Sequence, residues 1–167
     1  MKEKYTKQKI YDFLDENNIY YEKLEHKVVF TMEDMDAEGI TQKGVVCKNM
    51  FLRDYKGKNH FLVTAPEHKK VDLKKLAEEI GSSKLSFASA ERMEKYIGLT
   101  AGSVSPLGLL NNEDKSVVMI FDKDLEGENQ VGVHPNDNSA TIWLKFSDLK
   151  NIIQTNGNEI IFAEFTE

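Results

Sequence analysis

The chain has 167 residues, 40% of them apolar and 30% charged, and a net charge of −6, a composition that sets it among globular proteins rather than disordered or fibrous ones. Its length suits one domain, residues 1–167, around one core, and its acidity argues against a protein whose main work is coating nucleic acid through non-specific phosphate contacts. The charged start, "MKEKYTKQKIYDFLDENN", and the lack of any long apolar run predict neither a signal peptide nor a membrane span; with Cys47 as the single cysteine, the expected location is cytoplasmic.

Periodicity alternates between helix and strand, without repeats or a low-complexity linker. Residues 5 to 16 place Tyr5, Ile10, Phe13 and Leu14 at helical spacing and stop at Asn17-Asn18. "IYYEKLEH" alternates as a strand. Thr31 with Asp34 reads as an N-cap followed by an acidic first turn, opening a short helix that ends near Gly39. "VVCKNMFLRD" and "NHFLVTA", joined through "YKGK" with Gly57 in the turn, predict a hairpin at the centre of the sheet. "VDLKKLAEEIG" carries Asp72 as a cap, an apolar stripe through Leu73, Leu76, Ala77 and Ile80, and Gly81 as a stop. "KLSFA" is a short strand, and Ser89 caps a helix through Tyr96. "LTAGSVSPLGLLNN", with glycines at 98, 102 and 108 and Pro106, reads as a loop that brings backbone amides close to something. "SVVMIFD", "VGVHP" and "ATIWL" are strands, Phe146 to Ile153 a helix, and "EIIFAEF" a closing strand.

Several chemistries lack their signatures. The histidines at 26, 60, 68 and 134 are not paired at helical ligand spacing, and no CxxC or HxE occurs, so no metal or other cofactor is expected. There is no GxxxxGK[ST] and no GxSxG. A Cys47/His134 nucleophile pair competes with Cys47 as a small buried apolar residue, the better reading. Lys48 is a charge inside an apolar strand: it either snorkels from an edge or lines a cleft as a cation, and the residues alone leave these nearly even.

Three pieces in order break that tie. "KNMFLRD" at 48–54, "GSVSP" at 102–106 running on to Gly108, and "HPNDNSAT" at 134–141 resemble the bacterial YbaK family of aminoacyl-tRNA editing domains, over most of the chain from about residue 20. The variety most similar is the free-standing ProX/PrdX type, the Ala-tRNA(Pro) deacylases related to the insertion domain of prolyl-tRNA synthetase. The resemblance implies an α/β fold: a single domain with a mixed, mostly antiparallel, curved and barrel-like sheet flanked by helices.

It also implies hydrolysis of the ester joining a wrong amino acid to the 3′ end of a tRNA. Alanine enters a proline pocket because one methylene of lost contact is worth only about 1 to 3 kcal/mol of discrimination, so a second, smaller sieve is needed. By this resemblance Lys48 binds the terminal phosphate or polarises the scissile carbonyl, and Gly102 opens a GxxxP loop, completed by Pro106, whose amides stabilise the developing oxyanion. His134 positions water or the aminoacyl amine through its ring or its carbonyl. Asn49 orients Lys48 or the terminal adenosine, although strand alternation points it to the other face. Val46, Met50, Ser103, Pro106 and Leu107 are the remaining expected substrate contacts. With no carboxylate placed as a general base, the 2′-hydroxyl of the terminal ribose is the implied assistant. The partner is an aminoacylated tRNA, held by a restricted basic surface of Arg53, Lys56, Lys58 and Lys84, with transient association with prolyl-tRNA synthetase and no membrane. Two alternatives stay open: another small amino acid such as cysteine on the same tRNA, or a non-catalytic module that binds charged tRNA.

Overall fold

The computed structural model describes residues 3–28 and 30–167. Helix α1 (Lys7–Glu16) buries Ile10 and Leu14 of the expected stripe together with Tyr11, while Tyr5, just before it, and Phe13 are half-buried, and the chain leaves it through Asn18 at φ 57°. Strand β1 (Tyr21–Glu25) follows. Helix α2 (Met32–Ala37) starts from a full capping box, Thr31 accepting from the Asp34 amide while Asp34 accepts from that of Thr31. A 3₁₀ turn at Ile40–Lys43 leads into β2 (Val45–Arg53), and β3 (His60–Pro66) returns antiparallel to it, with Gly57 at φ 70° in the connection. That positive φ is the reason for glycine in the turn.

Helix α3 (Leu73–Ile80) is capped by Asp72, short strand β4 (Ser86–Phe87) pairs with β2, and α4 (Ala90–Ile97) is capped by Ser89. The glycine-containing stretch expected as a loop forms two 3₁₀ turns, Ala101–Ser103 and Pro106–Asn111. Pro106 supplies the preset φ at the second start, and Ser105 Oγ accepts from the Leu107 amide there. Strands β5 (Val118–Asp122), β6 (Gln130–Val133) and β7 (Ala140–Lys145), helix α5 (Phe146–Asn156) and strand β8 (Ile160–Ala163) complete the chain, with a 3₁₀ turn at Lys123–Gly127.

All eight strands share one mixed sheet in the order β1-β7-β6-β2-β3-β5-β8, with β4 beside β2. The hairpin therefore lies at the centre, as its apolar run predicts. The sheet is curved but not closed, because β1 and β8 remain as separate edges. β2 meets β6 in parallel through only two residue pairs, Val45 with Val131 and Val46 with Gly132, whereas β2 and β3 share seven, from Cys47–Pro66 to Arg53–His60. The β6/β2 junction is thus a narrow seam.

Side-chain alternation divides β2 between different cores. Cys47 and Phe51 enter the large core beneath α1, α4 and α5. Leu52, with Met50 against it, packs under α3. Val46 packs against a third small cluster, Met35, Ile40 and Trp143, beneath α2.

Candidate active site

At the seam Met32 and Met35 of the capped helix α2 face the sheet across a cavity of about 260 Å³. Its wall is made by Phe30, Met32 and Met35 on one side and by Val46, Cys47, Gly132, Val133, His134 and Thr141 on the sheet, with Glu67 at the end of β3. Apolar side chains and polar groups share the wall about equally, with Glu67, His134 and Thr141 supplying polar side chains, and a few placed polar groups among apolar ones are what orients a small ligand.

His134 sits half-buried just past β6. Its Nδ1 lies 2.9 Å from the Ala140 carbonyl. A carbonyl only accepts, so Nδ1 carries a proton and, in the neutral ring, Nε2 is left as the acceptor. His26 is arranged alike: Nδ1 faces the Lys27 carbonyl at 2.9 Å, Nε2 meets the Thr141 hydroxyl at 3.0 Å, and the ring stacks on Phe30. The two imidazoles are 6.5 Å apart. The corner carrying His134 is tied down by Asn136, at φ 62°, whose amide donates to the carbonyls of Tyr5 and Leu107. Asp137 accepts from the Ser139 hydroxyl and amide, and these bonds hold its carboxyl below the usual range despite partial burial.

Lys48 falls on the face of Val46, one pleat along β2, opposite Ala65. It is half-buried and makes no salt bridge among the described residues. Asn49 points to the opposite face, where its Oδ1 accepts from Thr64 at 2.6 Å. Cys47 reaches the cavity wall, but its thiol is buried, and burial, with Glu128, Glu67 and Asp122 adding to it, pushes its pKa far up. A thiol held protonated in this way is no nucleophile.

Gly102 is exposed at the head of its loop, and a Cβ there would stand 2.9 Å from Asn138 Nδ2. The loop thus abuts the 134–139 corner. Behind it the segment is core: Ser103 and Pro106 are buried, and Leu107 is wholly enclosed in the large core. Of the expected substrate contacts, then, Val46 and His134 share the cavity, Gly102 adjoins the corner of His134, and Lys48 shares the face of Val46. Lys48, Gly102, Met50, Leu107, Ser103, Pro106 and Asn49 are not among the residues lining the cavity.

The expected basic surface gathers at the other end of β2. From Val46 to Arg53 is seven strand steps, about 23 Å. Arg53 donates to the Tyr55 carbonyl, Lys56 and Lys58 are exposed in the turn, and the Tyr55 amide donates to Ser83, which brings the loop of Lys84 alongside. Arg92, which the sequence reading did not single out, joins them: its Nη1 donates to the Gly57 carbonyl and to His60 Nε2. Burial, reinforced by Arg92, keeps His60 below the usual imidazole range, so it accepts from the guanidinium as a neutral ring. The residues missed at the cavity are Phe30, Met32, Met35, Glu67, Gly132, Val133 and Thr141. Thr141 lay inside the "HPNDNSAT" piece and Gly132 and Val133 inside the strand quoted before it; the others meet across elements far apart in sequence.

The profile of the aminoacyl-tRNA editing domain matches residues 26–152, most of the chain. The chain belongs to the aminoacyl-tRNA editing domain family. It is 50% identical over 153 residues to the prolyl-tRNA editing protein ProX of Acetoanaerobium sticklandii, spanning 92% of this chain and 93% of that one. It is 32% identical over 147 residues to the prolyl-tRNA synthetase associated domain-containing protein 1 of Bos taurus, spanning 86% of each. A crystal structure described as a candidate trans-editing enzyme for prolyl tRNA synthetase superposes with a TM-score of 0.72 over 96% of both chains at 20% identity, a likeness of fold. Among the described residues, no group of three or more His, Cys, Asp or Glu side chains is placed to hold a metal ion, and no described helix is long and apolar enough to cross a membrane.

Proposed function

We propose that this chain is a trans-editing deacylase that hydrolyses the ester of mischarged alanine on tRNA(Pro) and spares proline. The observation that carries the reading is the small cavity with His134 in its wall, in a chain half identical to a prolyl-tRNA editing protein. A space of about 260 Å³ falls just under the range of ~300 to 1,000 Å³ typical of drug-sized ligands, which suits a side chain as small as alanine. The methionines and Phe30 above it supply the walls of a size sieve.

In this reading water adds to the ester carbonyl carbon, the bond from that carbon to the ribose 3′ oxygen breaks, and the 3′ oxygen leaves with a proton as the free hydroxyl. His134, its tautomer fixed by Ala140, offers Nε2 to water or to the aminoacyl amine. Lys48 supplies positive charge to the carbonyl or the terminal phosphate, and the Gly102 loop allows a backbone approach. The vicinal 2′-hydroxyl completes the proton path, which removes the need for a protein nucleophile. The Arg53, Lys56, Lys58 and Lys84 surface, joined by Arg92, holds the tRNA some distance from the ester, with strongly salt-dependent affinity. Transient association with prolyl-tRNA synthetase and a cytoplasmic location follow from the same reading.

The test is deacylation of alanyl-, cysteinyl- and prolyl-tRNA(Pro) by the wild type and by Lys48→Ala. Alanyl ester is expected to be cleaved first, prolyl ester to survive, and the variant to lose about 100- to 1,000-fold, the usual effect of removing one group that stabilises an oxyanion. Preference for cysteinyl ester overturns the choice of alanine, and no cleavage above buffer overturns the enzyme.

A further inference from the structure

We propose that Glu67 receives the α-ammonium group of the aminoacyl ester and makes this enzyme selective for esters with a free amine. The inference rests on the deacylase reading and adds a specificity residue to it. Among the ten residues that line the cavity, Glu67 is the only carboxylate.

Its position is fixed by backbone. The Glu67 amide donates to the Val46 carbonyl at 2.8 Å, which carries the β2/β3 ladder one residue past Cys47–Pro66. Glu67 therefore stands across from Val46 and shares its face, with Lys48 as the diagonal neighbour on that same face. A carboxylate in the cavity wall thus shares a strand face with an ammonium just beyond that wall, and neither forms a salt bridge among the described residues. The carboxylate also acts on the cavity wall, being one of the charges that keep the Cys47 thiol protonated.

An aminoacyl ester presents two polar ends around its α-carbon. The carbonyl gathers negative charge during attack, and the neighbouring ammonium is positive throughout. Lys48 matches the first and Glu67 the second, which leaves Val46, Met32, Met35 and Phe30 for the side chain. A charge-assisted bond of this kind is worth about 1.5 to 3 kcal/mol, a factor of roughly 10 to 150.

The experiment compares alanyl-tRNA(Pro) with lactyl-tRNA(Pro), in which a hydroxyl replaces the ammonium at nearly the same size, under the wild type, Glu67→Gln and Glu67→Asp. Expected is a wild type that strongly prefers the alanyl ester, a Gln variant in which kcat/KM for that ester falls by about 10- to 100-fold while the lactyl rate holds, and partial recovery in the Asp variant. Glu67 is exposed, so the Gln variant is expected to keep the wild-type melting profile. An equal loss on both esters, or no loss on either, overturns the assignment while leaving the deacylase intact. A wild type that cleaves no ester removes the deacylase reading, and this role with it.

Discussion

Gly132 lines the cavity from β6, and a methyl group placed on it would point at the single tryptophan of the chain. A Cβ there would lie 2.7, 2.8 and 3.0 Å from Cζ3, Cη2 and Cε3 of Trp143. These are ring atoms of a side chain 1% exposed, so the indole cannot swing away as the end of a flexible chain would. Gly132→Ala is an overpacking change, costing typically about 1 to 3 kcal/mol. Replacing glycine also lowers the entropy of the unfolded chain, which returns about 0.4 to 1 kcal/mol where the backbone permits. The net expectation is a loss of about 0.5 to 2 kcal/mol, and at roughly 2 to 4 °C per kcal/mol for a domain of this size Tm falls by about 1 to 8 °C. Denaturation followed by Trp143 emission and by circular dichroism measures it. Trp143→Phe provides the control: it removes part of the opposing ring, and because Trp143 Nε1 has no hydrogen-bond partner, no polar bond is lost with it. In the double variant, read by circular dichroism, the two costs should sum to less than the singles by about 1 kcal/mol. A Gly132→Ala protein as stable as the wild type, or a double variant whose costs simply add, would refute the steric reasoning.

Cys47→Ala should retain deacylation to within about threefold, because a buried, protonated thiol contributes volume rather than chemistry; single-turnover rates check this, and abolition of cleavage would restore the thiol as a reactant. Asp137→Asn should remove a pH-dependent part of the stability. The Asp137 carboxyl is held low by Ser139, so its contribution is fully present above the unfolded aspartate value of about 3.9 and is lost as pH falls through the lower folded value. Urea denaturation at pH 6 and at pH 3 should then show the gap between wild type and variant narrow at the acidic end, and a constant gap would contradict the linkage.

The elements most legible in the sequence were those whose signals are local. Thr31 with Asp34, Asp72, Ser89 and the glycines at 57 and 81 each act within one turn of chain, and each marks the boundary it was expected to mark. Alternation in β2 likewise put Lys48 and Asn49 on opposite faces, which the bond to Thr64 bears out. The segment after Gly98 was harder, because glycine and proline announce a break in regular structure without saying that the break will be wound into 3₁₀ turns. Leu107 was expected beside substrate, yet a leucine near glycines reads the same whether it meets a ligand or a core. The cavity itself was least legible. Its wall joins α2, β2, the end of β3, β6 and β7, and no window of sequence contains that meeting. Glu67 and Gly132 carry no motif, since their importance comes from what lies across the sheet. The sequence reading found the basic hairpin, but the turn of α4 that brings Arg92 to Gly57 is a matter of packing.

The seam between β6 and β2 bears on how the protein acquires its activity. The hairpin on one side and the β6–β7 pair on the other each join strands that are neighbours in the chain, and such local pairings close early, whereas two strands separated by half of the chain must wait until the intervening segment is in place. Val46 and His134 stand on opposite sides of that late joint, so neither half of the molecule alone contains a competent pocket. Editing should therefore be the last property regained on refolding, after secondary structure and most of the core, which makes ester cleavage a measure of whether the whole chain has finished folding.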